Sequence, residues 1–526
     1  MHVTEATRLD SRPPAGDRTA LLALDQGTTS SKALLVEPAT GAVLAAAARP
    51  VRIAFPAPGW VEQDAAQLVR ATLDAARECL DARPDVALVG ISLSSQRESV
   101  VCWDRTTGRP LGPVLGWQDA RTAAWCGALE EAWPGAGRLV RERTGLSLDP
   151  MYSAPKMRAA LDRATGAGAR RADVALGTVD AWLLRNLTGE HLTELGNASR
   201  TLLLNLETCA WDPELVDLFG LPAGALGELR GSDAGFGRTL PGGPLPGGVP
   251  VVAVLADSHA AMYRQGCTVP GTGKATYGTG SSVMTPTASA KDAPAGITAT
   301  LAWHTGGAPT YAREGNIVAS GSALDWMAAT IGAPQGVPGG AYLTELARGV
   351  PDAGGVAFVP AFSGLGAPYW DRDAAGLLTG VSAGTTRAHL ARAALDAVAH
   401  QVADVVEAIE SDGLARIDVL RADGGATRSS LLMQLQADLL RRPVQVGDVP
   451  EASALGAAAL ARRTLGHDVA PARVREQLDP ADADPAAERE RWSRAVARSR
   501  GVPAPDVAPH HRRPPTVRQP EPEGES

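Results

Sequence analysis

The chain of 526 residues predicts an α/β protein of two duplicated domains facing a central cleft. Three observations carry that prediction. Strand and helix signals alternate along most of the chain, the length exceeds what one ordinary hydrophobic core supports, and a strand–turn–strand signal near the start recurs in the second half. The boundary falls near Gly266, giving domains at 19–265 and 266–500.

Taken in order, a head over 1–18 and a tail over 501–526 are rich in Pro, Arg and Glu and are expected to be disordered, having little apolar surface to offset ordering entropy. Residues 20–25, 32–37 and 42–48 read as three strands, with turns at Gly27 and at Thr40-Gly41. A helix follows over 64–81, then a buried strand over 86–93. Residues 251–255 form another apolar strand that leads to Asp257 and a short helix, and 241–250 is a Gly/Pro-rich surface loop. The second half restarts with strand–turn–strand over 276–284. A long helix over 386–411 places Val398, Val402, Val405, Val406 and Ile409 on one buried face. A strand over 417–420 runs into Asp423-Gly424-Gly425, and a helix follows with Leu431, Leu432, Leu435 and Leu439 inward.

Composition narrows the function. Hydrophobic residues at 44%, charged residues at 21% and a net charge of −8 describe a soluble globular protein and argue against nucleic-acid binding. The five cysteines are scattered, with no CxxC pair, which fits a reducing compartment and neither a disulfide framework nor a zinc site. No signal core and no apolar run of membrane-spanning length is present, so the expected location is the cytoplasm, without membrane insertion. Self-association stays open.

The chemistry lies at strand ends. ALDQGTTSSK (23–32) is an apolar strand that meets Asp25, turns at Gly27 and continues through hydroxyls. Such a turn aims backbone N–H groups at an anion, and Asp25 can hold a hydrated Mg²⁺ whose shell phosphates complete. TYGTG (276–280) repeats the device, so two lobes are expected to close on one nucleotide. SQRES (95–99) puts Arg97 and Glu98 side by side after a buried strand, where α/β sheets bind ligands; their donors and acceptors suit adjacent hydroxyls. Asp257 reads either as a helix N-cap or as the general base for an attacking hydroxyl. Trp117 reads as core or as the apolar wall for a polyol's carbons, and the Gly424-Gly425 turn lets a base or ribose approach. His259 reads as a packing or rim residue.

These motifs, together with APGWVEQD (57–64), GWQDART (116–122), GTVDAWLL (177–184), AFSGLGAPYWD (361–371) and DGGATRSSLLMQLQAD (423–438), resemble the FGGY carbohydrate kinases over about 21–463, the glycerol kinases most closely. The resemblance implies an actin-like (ribonuclease H-like) two-domain ATPase fold and transfer of the γ-phosphoryl of ATP to a primary hydroxyl, with glycerol to glycerol 3-phosphate as the best single expectation. By position it implies Asp25 as the Mg²⁺ ligand and Asp257 as catalytic base. Arg97, Glu98, Trp117, Met151, Asp257, Ser258 and Ser282 would contact the polyol; Thr28, Thr29, Ser30, Thr279, Gly321, Asp325, Gly425 and Ser429 would contact ATP.

Three departures stand out. Met151 replaces a tyrosine that hydrogen-bonds glycerol, Ser258 replaces a glutamine, and Ser282 replaces a phenylalanine. A hydrogen bond is worth about 1 kcal/mol and an aromatic wall about 1.5–3, so glycerol would bind roughly 60- to 1,000-fold more weakly. A larger acceptor, of the erythritol, xylulose or ribulose type, is the alternative. A non-catalytic actin-like ATP-binding regulator is the alternative from another class, disfavoured because a scaffold needs neither polyol clamp nor base. The loop over 241–250 lacks the arginine-bearing segment that binds fructose bisphosphate in bacterial glycerol kinases, so that regulation is not expected.

Overall fold

A computed structural model describes residues 18–289, 293–447, 451–482 and 484–501. The expected disordered head and tail lie outside these residues, apart from Arg18, which opens the first strand, and Gly501.

The apolar run after Arg18 forms the strand Arg18–Gln26, which hairpins through Gly27 into Ser30–Val36 and on to Val43–Pro50. Asp64 accepts from the Gln67 N–H at 2.9 Å and so starts the helix Ala65–Ala82, which buries Leu68, Ala71, Ala75 and Cys79 against the sheet. Val86–Ser95 then runs parallel to the first strand, and Val251–Ala256 runs parallel to Val86–Ser95. Between them, 100–250 carry further elements, including a small four-stranded sheet with Val100–Asp104 and Val174–Thr178 at one side. The 241–250 segment is a chain of turns, as its composition requires.

The second half repeats this topology. Gly271–Tyr277, Ser281–Thr287 and Ala308–Ile317 are antiparallel neighbours, and Ile417–Asp423 and Val444–Gly447 follow parallel to the first of them. One further strand lies at each edge of the second sheet, Thr298–Thr305 and Val474–Leu478. Three antiparallel strands meeting two parallel ones, twice over, is the duplication that the recurring turn predicts. The helix Arg387–Glu410 buries the expected valine and isoleucine face. In Ser430–Leu440 the expected Leu432, Leu435 and Leu439 are buried, and Leu431 is half-buried against the same core at the margin of that face.

The halves are not independent. Helix Ala452–Thr464 packs across the first sheet, and one apolar cluster contains Leu21, Val252 and Leu255 together with Ala454 and Leu460. It also lies against helix Asp257–Arg264, so close at Gly456 that a Cβ there would sit 1.8 Å from the Ala260 carbonyl oxygen. Among the described residues, no helix is long and apolar enough to cross a membrane.

Candidate active site

Each sheet ends its strands at the cleft, and the first supplies two carboxylates. Asp25 pairs in register with Lys32 across the hairpin and accepts a hydrogen bond from the Ser94 hydroxyl at 2.7 Å. Burial pushes its pKa up to about 6, with the Ser94 bond opposing. The turn beyond it closes through a Gly27 N–H to Ser30 carbonyl bond of 2.9 Å, and the Thr28 hydroxyl accepts from the Trp117 indole N–H at 3.1 Å. Asp257 follows the strand Val251–Ala256 as the first helical residue and not as a cap, the cap position being Ala256. Its Oδ1 accepts from the Ser258 N–H at 2.6 Å and lies 3.7 Å from Arg97 Nε. Burial raises its pKa and the Arg97 charge opposes that rise.

Asp25, Asp257 and Ser258 line a cavity of about 540 Å³ with Lys274, Asp423 and Gly425. A second cavity, also about 540 Å³, is lined by Thr279, Gly321, Asp325, Gly425 and Ser429. The two share Gly425 and Arg428, so they adjoin. Thr279 and Gly321 come together because the helix Gly321–Thr330 starts on the Gly278–Thr279 turn. Gly321 N–H donates to the Gly278 carbonyl at 2.9 Å, and a Cβ at 321 would lie 2.5 Å from that oxygen. Ser429 caps Ser430–Leu440 and accepts from the Thr344 hydroxyl at 2.7 Å. Two adjoining hollows, one walled by carboxylates and one by a glycine turn and helix start, can hold a metal–phosphate chain and a nucleoside respectively.

Behind the first cavity lies a buried ionic cluster. Arg97 donates to both oxygens of Glu314, at 2.7 and 3.1 Å, and Arg200 donates to Glu98 at 2.7 Å and lies 2.9 Å from Glu314. Glu314 and Arg200 are 0% exposed. Burial alone would raise the Glu314 pKa, but Arg200 and Arg97 hold it well below the carboxylate range. Glu98 sits at φ 61, a left-handed backbone that its buried ion pair and the Ser153 hydroxyl on its carbonyl, at 3.0 Å, hold in place. Arg97 therefore gives its guanidinium fork to Glu314 and keeps Nε toward Glu98 and Asp257.

Thr28, Thr29, Ser30, Arg97, Glu98, Trp117, Met151 and Ser282 line neither cavity. Trp117 is joined to the Gly27–Ser30 turn through Thr28; Met151 lies in the turn before the helix Ser153–Gly166; Ser282 is half-buried opposite Thr276. His259 is fully buried, so packing and not the rim is its place. Sequence reasoning missed Glu314, Arg200 and Lys274. For Glu314 and Lys274 the one signal was a charge inside a strand, in YAREGNI and GTGKATY; Arg200, in the turn after the helix Leu195–Ala198, gave none. Among the described residues, no group of three or more His, Cys, Asp or Glu side chains is placed to hold a metal ion. A single carboxylate such as Asp25 suits a cation that takes its other ligands from water and phosphate.

The family model for the N-terminal domain of the FGGY family of carbohydrate kinases matches residues 20–263, and that for the C-terminal domain matches 273–465. An apulose kinase of Pectobacterium atrosepticum is 44% identical over 494 residues, covering 91% of this chain and 98% of that protein. A glycerol kinase of Thermus brockianus is 45% identical over 497 residues, covering 91% and 98%. Among solved structures, Plasmodium falciparum glycerol kinase with ADP superposes with a TM-score of 0.84 at 26% identity, covering 92% of this chain and 98% of that one. Xylulose kinase from Rhodospirillum rubrum gives 0.78 at 30% identity, covering 89% and 95%. The two-domain actin-like fold is common to these structures and this chain.

Proposed function

The chain belongs to the FGGY family of carbohydrate kinases, and from that membership we propose that it phosphorylates a primary hydroxyl of a polyol or ketose larger than glycerol, using ATP and Mg²⁺. The observation that carries the proposal is the cavity lined by both Asp257 and Asp25, with Arg97 Nε 3.7 Å from Asp257 and a second hollow adjoining through Gly425. Asp257, lifted in pKa by burial, takes the proton of the attacking hydroxyl. Asp25 would hold Mg²⁺, which neutralises charge on the phosphates and orients them. Arg97 and Glu98, fixed by the buried cluster, present Nε and a carboxylate to the acceptor's hydroxyls, with Trp117 as an apolar wall. Nucleoside binding falls to Thr279, Gly321, Asp325, Gly425 and Ser429, and the first turn, Thr28 to Ser30, cradles phosphate. Closure of the two halves then excludes water and limits idle hydrolysis of ATP.

The smaller Ser258, which lines the cavity beside the base, supports the larger acceptor, as does the apulose kinase among its relatives; the Met151 and Ser282 replacements lie outside that lining and point the same way only through the resemblance. Glycerol itself is the second reading, favoured by glycerol kinases of equal similarity. Coupled ADP release with glycerol, erythritol, xylulose, ribulose and apulose separates the two: micromolar KM for glycerol with poor turnover of the rest would end the first reading. Asp257→Ala is expected to keep ADP affinity and lose phosphorylation. Persistent turnover in that variant would move the base elsewhere, and no turnover of any acceptor by the wild type would favour a non-catalytic ATP-binding role.

A further inference from the structure

The first cavity contains a cation for which neither the phosphate turn nor the base accounts. Lys274 lies on the strand Gly271–Tyr277, is 0% exposed and yet lines the cavity with Asp25 and Asp257. An ammonium has three N–H donors, and the one bond formed here is a long one, 3.4 Å to the Ser258 carbonyl. It makes no direct ion pair among the described residues, and Asp423, a nearby carboxylate, already accepts from the Gln265 amide. Thr276 is two residues on, so it faces the same side of the strand; it also lines the cavity, and its buried hydroxyl has no hydrogen-bond partner. A buried ammonium and a buried hydroxyl with idle donors, side by side, are costly unless a ligand with acceptor oxygens completes them.

We infer that Lys274 is a catalytic residue, whose ammonium, aided by the Thr276 hydroxyl, donates to the oxygens of the phosphoryl group during transfer. This rests on the kinase reading. In the step, an acceptor oxygen lone pair forms the new O–P bond, the bond from phosphorus to the β,γ-bridging oxygen breaks with its electron pair leaving on ADP, and the acceptor's proton passes to the Asp257 carboxylate. Lys274 transfers no proton. Its compact charge with rotatable donors can follow oxygens that change direction as phosphorus inverts. Burial lowers its pKa and the Arg97 charge adds to that, while Asp423, Glu314 and Asp257 favour the charged form.

The test is calorimetric titration of the full chain with ADP and Mg²⁺, with and without aluminium fluoride, glycerol being added as a filling acceptor. Wild type is expected to bind the fluoride complex more tightly than ADP. Lys274→Met should bind ADP within about threefold of wild type but lose about 100-fold of the fluoride gain, and Lys274→Arg should recover part of it. Thr276→Val, a change less demanding of the fold, should lose about tenfold. Retention of the full gain by Lys274→Met, or by Thr276→Val if the first variant fails to fold, overturns the inference. Equal loss of ADP and fluoride-complex affinity overturns it too, by showing a structural role, as does a wild type that gains nothing. Failure of the kinase reading is a separate result, the absence of phosphorylated product from every acceptor offered.

Discussion

Glu314→Gln is the perturbation on which most of the site's geometry turns. Glu314 comes from the second sheet, and both guanidiniums it holds, Arg97 and Arg200, come from the first half of the chain. Arg97 is 8% and Arg200 0% exposed, so neutralising Glu314 leaves two buried cations that share Glu98, with Asp257 as a second partner of Arg97 alone. Removing one partner from such a buried set costs about 3–5 kcal/mol. For a cooperative unit the size of one half, that is a fall of about 6–20 °C in melting midpoint. Differential scanning calorimetry of wild type and variant at pH 7 measures it. The sign with pH follows from the depressed Glu314 pKa: the stabilisation is fully present above the unfolded value of 4.5 and is lost as pH falls through the folded value below it. The gap between wild type and variant should therefore narrow below about pH 4.5. A midpoint within about 2 °C of wild type at pH 7 would refute the claim that this cluster ties the halves together.

Three other outcomes follow from the same geometry. Gly456→Ala must push helix Ala452–Thr464 off Ala260, at a cost of about 3 kcal/mol, and should also lower kcat, because the Ser453 hydroxyl holds the Asp257 carbonyl at 3.0 Å; a variant with unchanged melting and kcat would contradict the close approach. Asp25 with a pKa near 6 must lose its proton to hold a cation, so the Mg²⁺ concentration for half-maximal rate should rise about tenfold per pH unit below 6 and level off above; a flat dependence from pH 5 to 7 would remove Asp25 from the metal site. Trp117→Phe removes the donor to Thr28 and should weaken ATP binding about fivefold with little effect on melting, by calorimetry; no change would separate the wall from the phosphate turn.

What the chain announces locally, it announced well. Asp25, Gly27, Asp257 and Gly425 lie at strand ends, where an apolar run meets glycine or aspartate, and that junction is visible within ten residues. The recurrence of strand–turn–strand at Tyr277 to Ser281 likewise gave away the duplication. The ionic cluster is different. Arg97 and Glu314 are 217 positions apart, and a glutamate within an apolar strand looks the same in sequence whether a guanidinium covers it or water does. Lys274 was hidden for the same reason: its role depends on which carboxylates the other half brings across the cleft. Periodicity read the inward leucines of the helix that follows Gly425, Leu432, Leu435 and Leu439 being buried and Leu431 lying at the margin of the same face.

Duplication by itself would make a symmetric cleft, and the residues show why this one is not. In each half the fifth strand of the repeat leads to a carboxylate at the start of a helix: Asp257 after Val251–Ala256, and Glu451 before Ala452–Thr464. The two helices pack on each other, so the two carboxylates face the same cavity. Two free carboxylates there would repel each other and the phosphates of any nucleotide. Glu451 is instead bound to Lys32 at 2.5 Å, and Lys32 is the residue opposite Asp25 in the first hairpin. One carboxylate of the pair is thus neutralised in place, while the other accepts from the Ser258 N–H and, as its cation, has the flank of an Arg97 that Glu314 already holds. Of the two related positions Glu451 has the shorter ion pair, 2.5 Å against 3.7 Å, which fits the proposal that Asp257 and not Glu451 serves as the base.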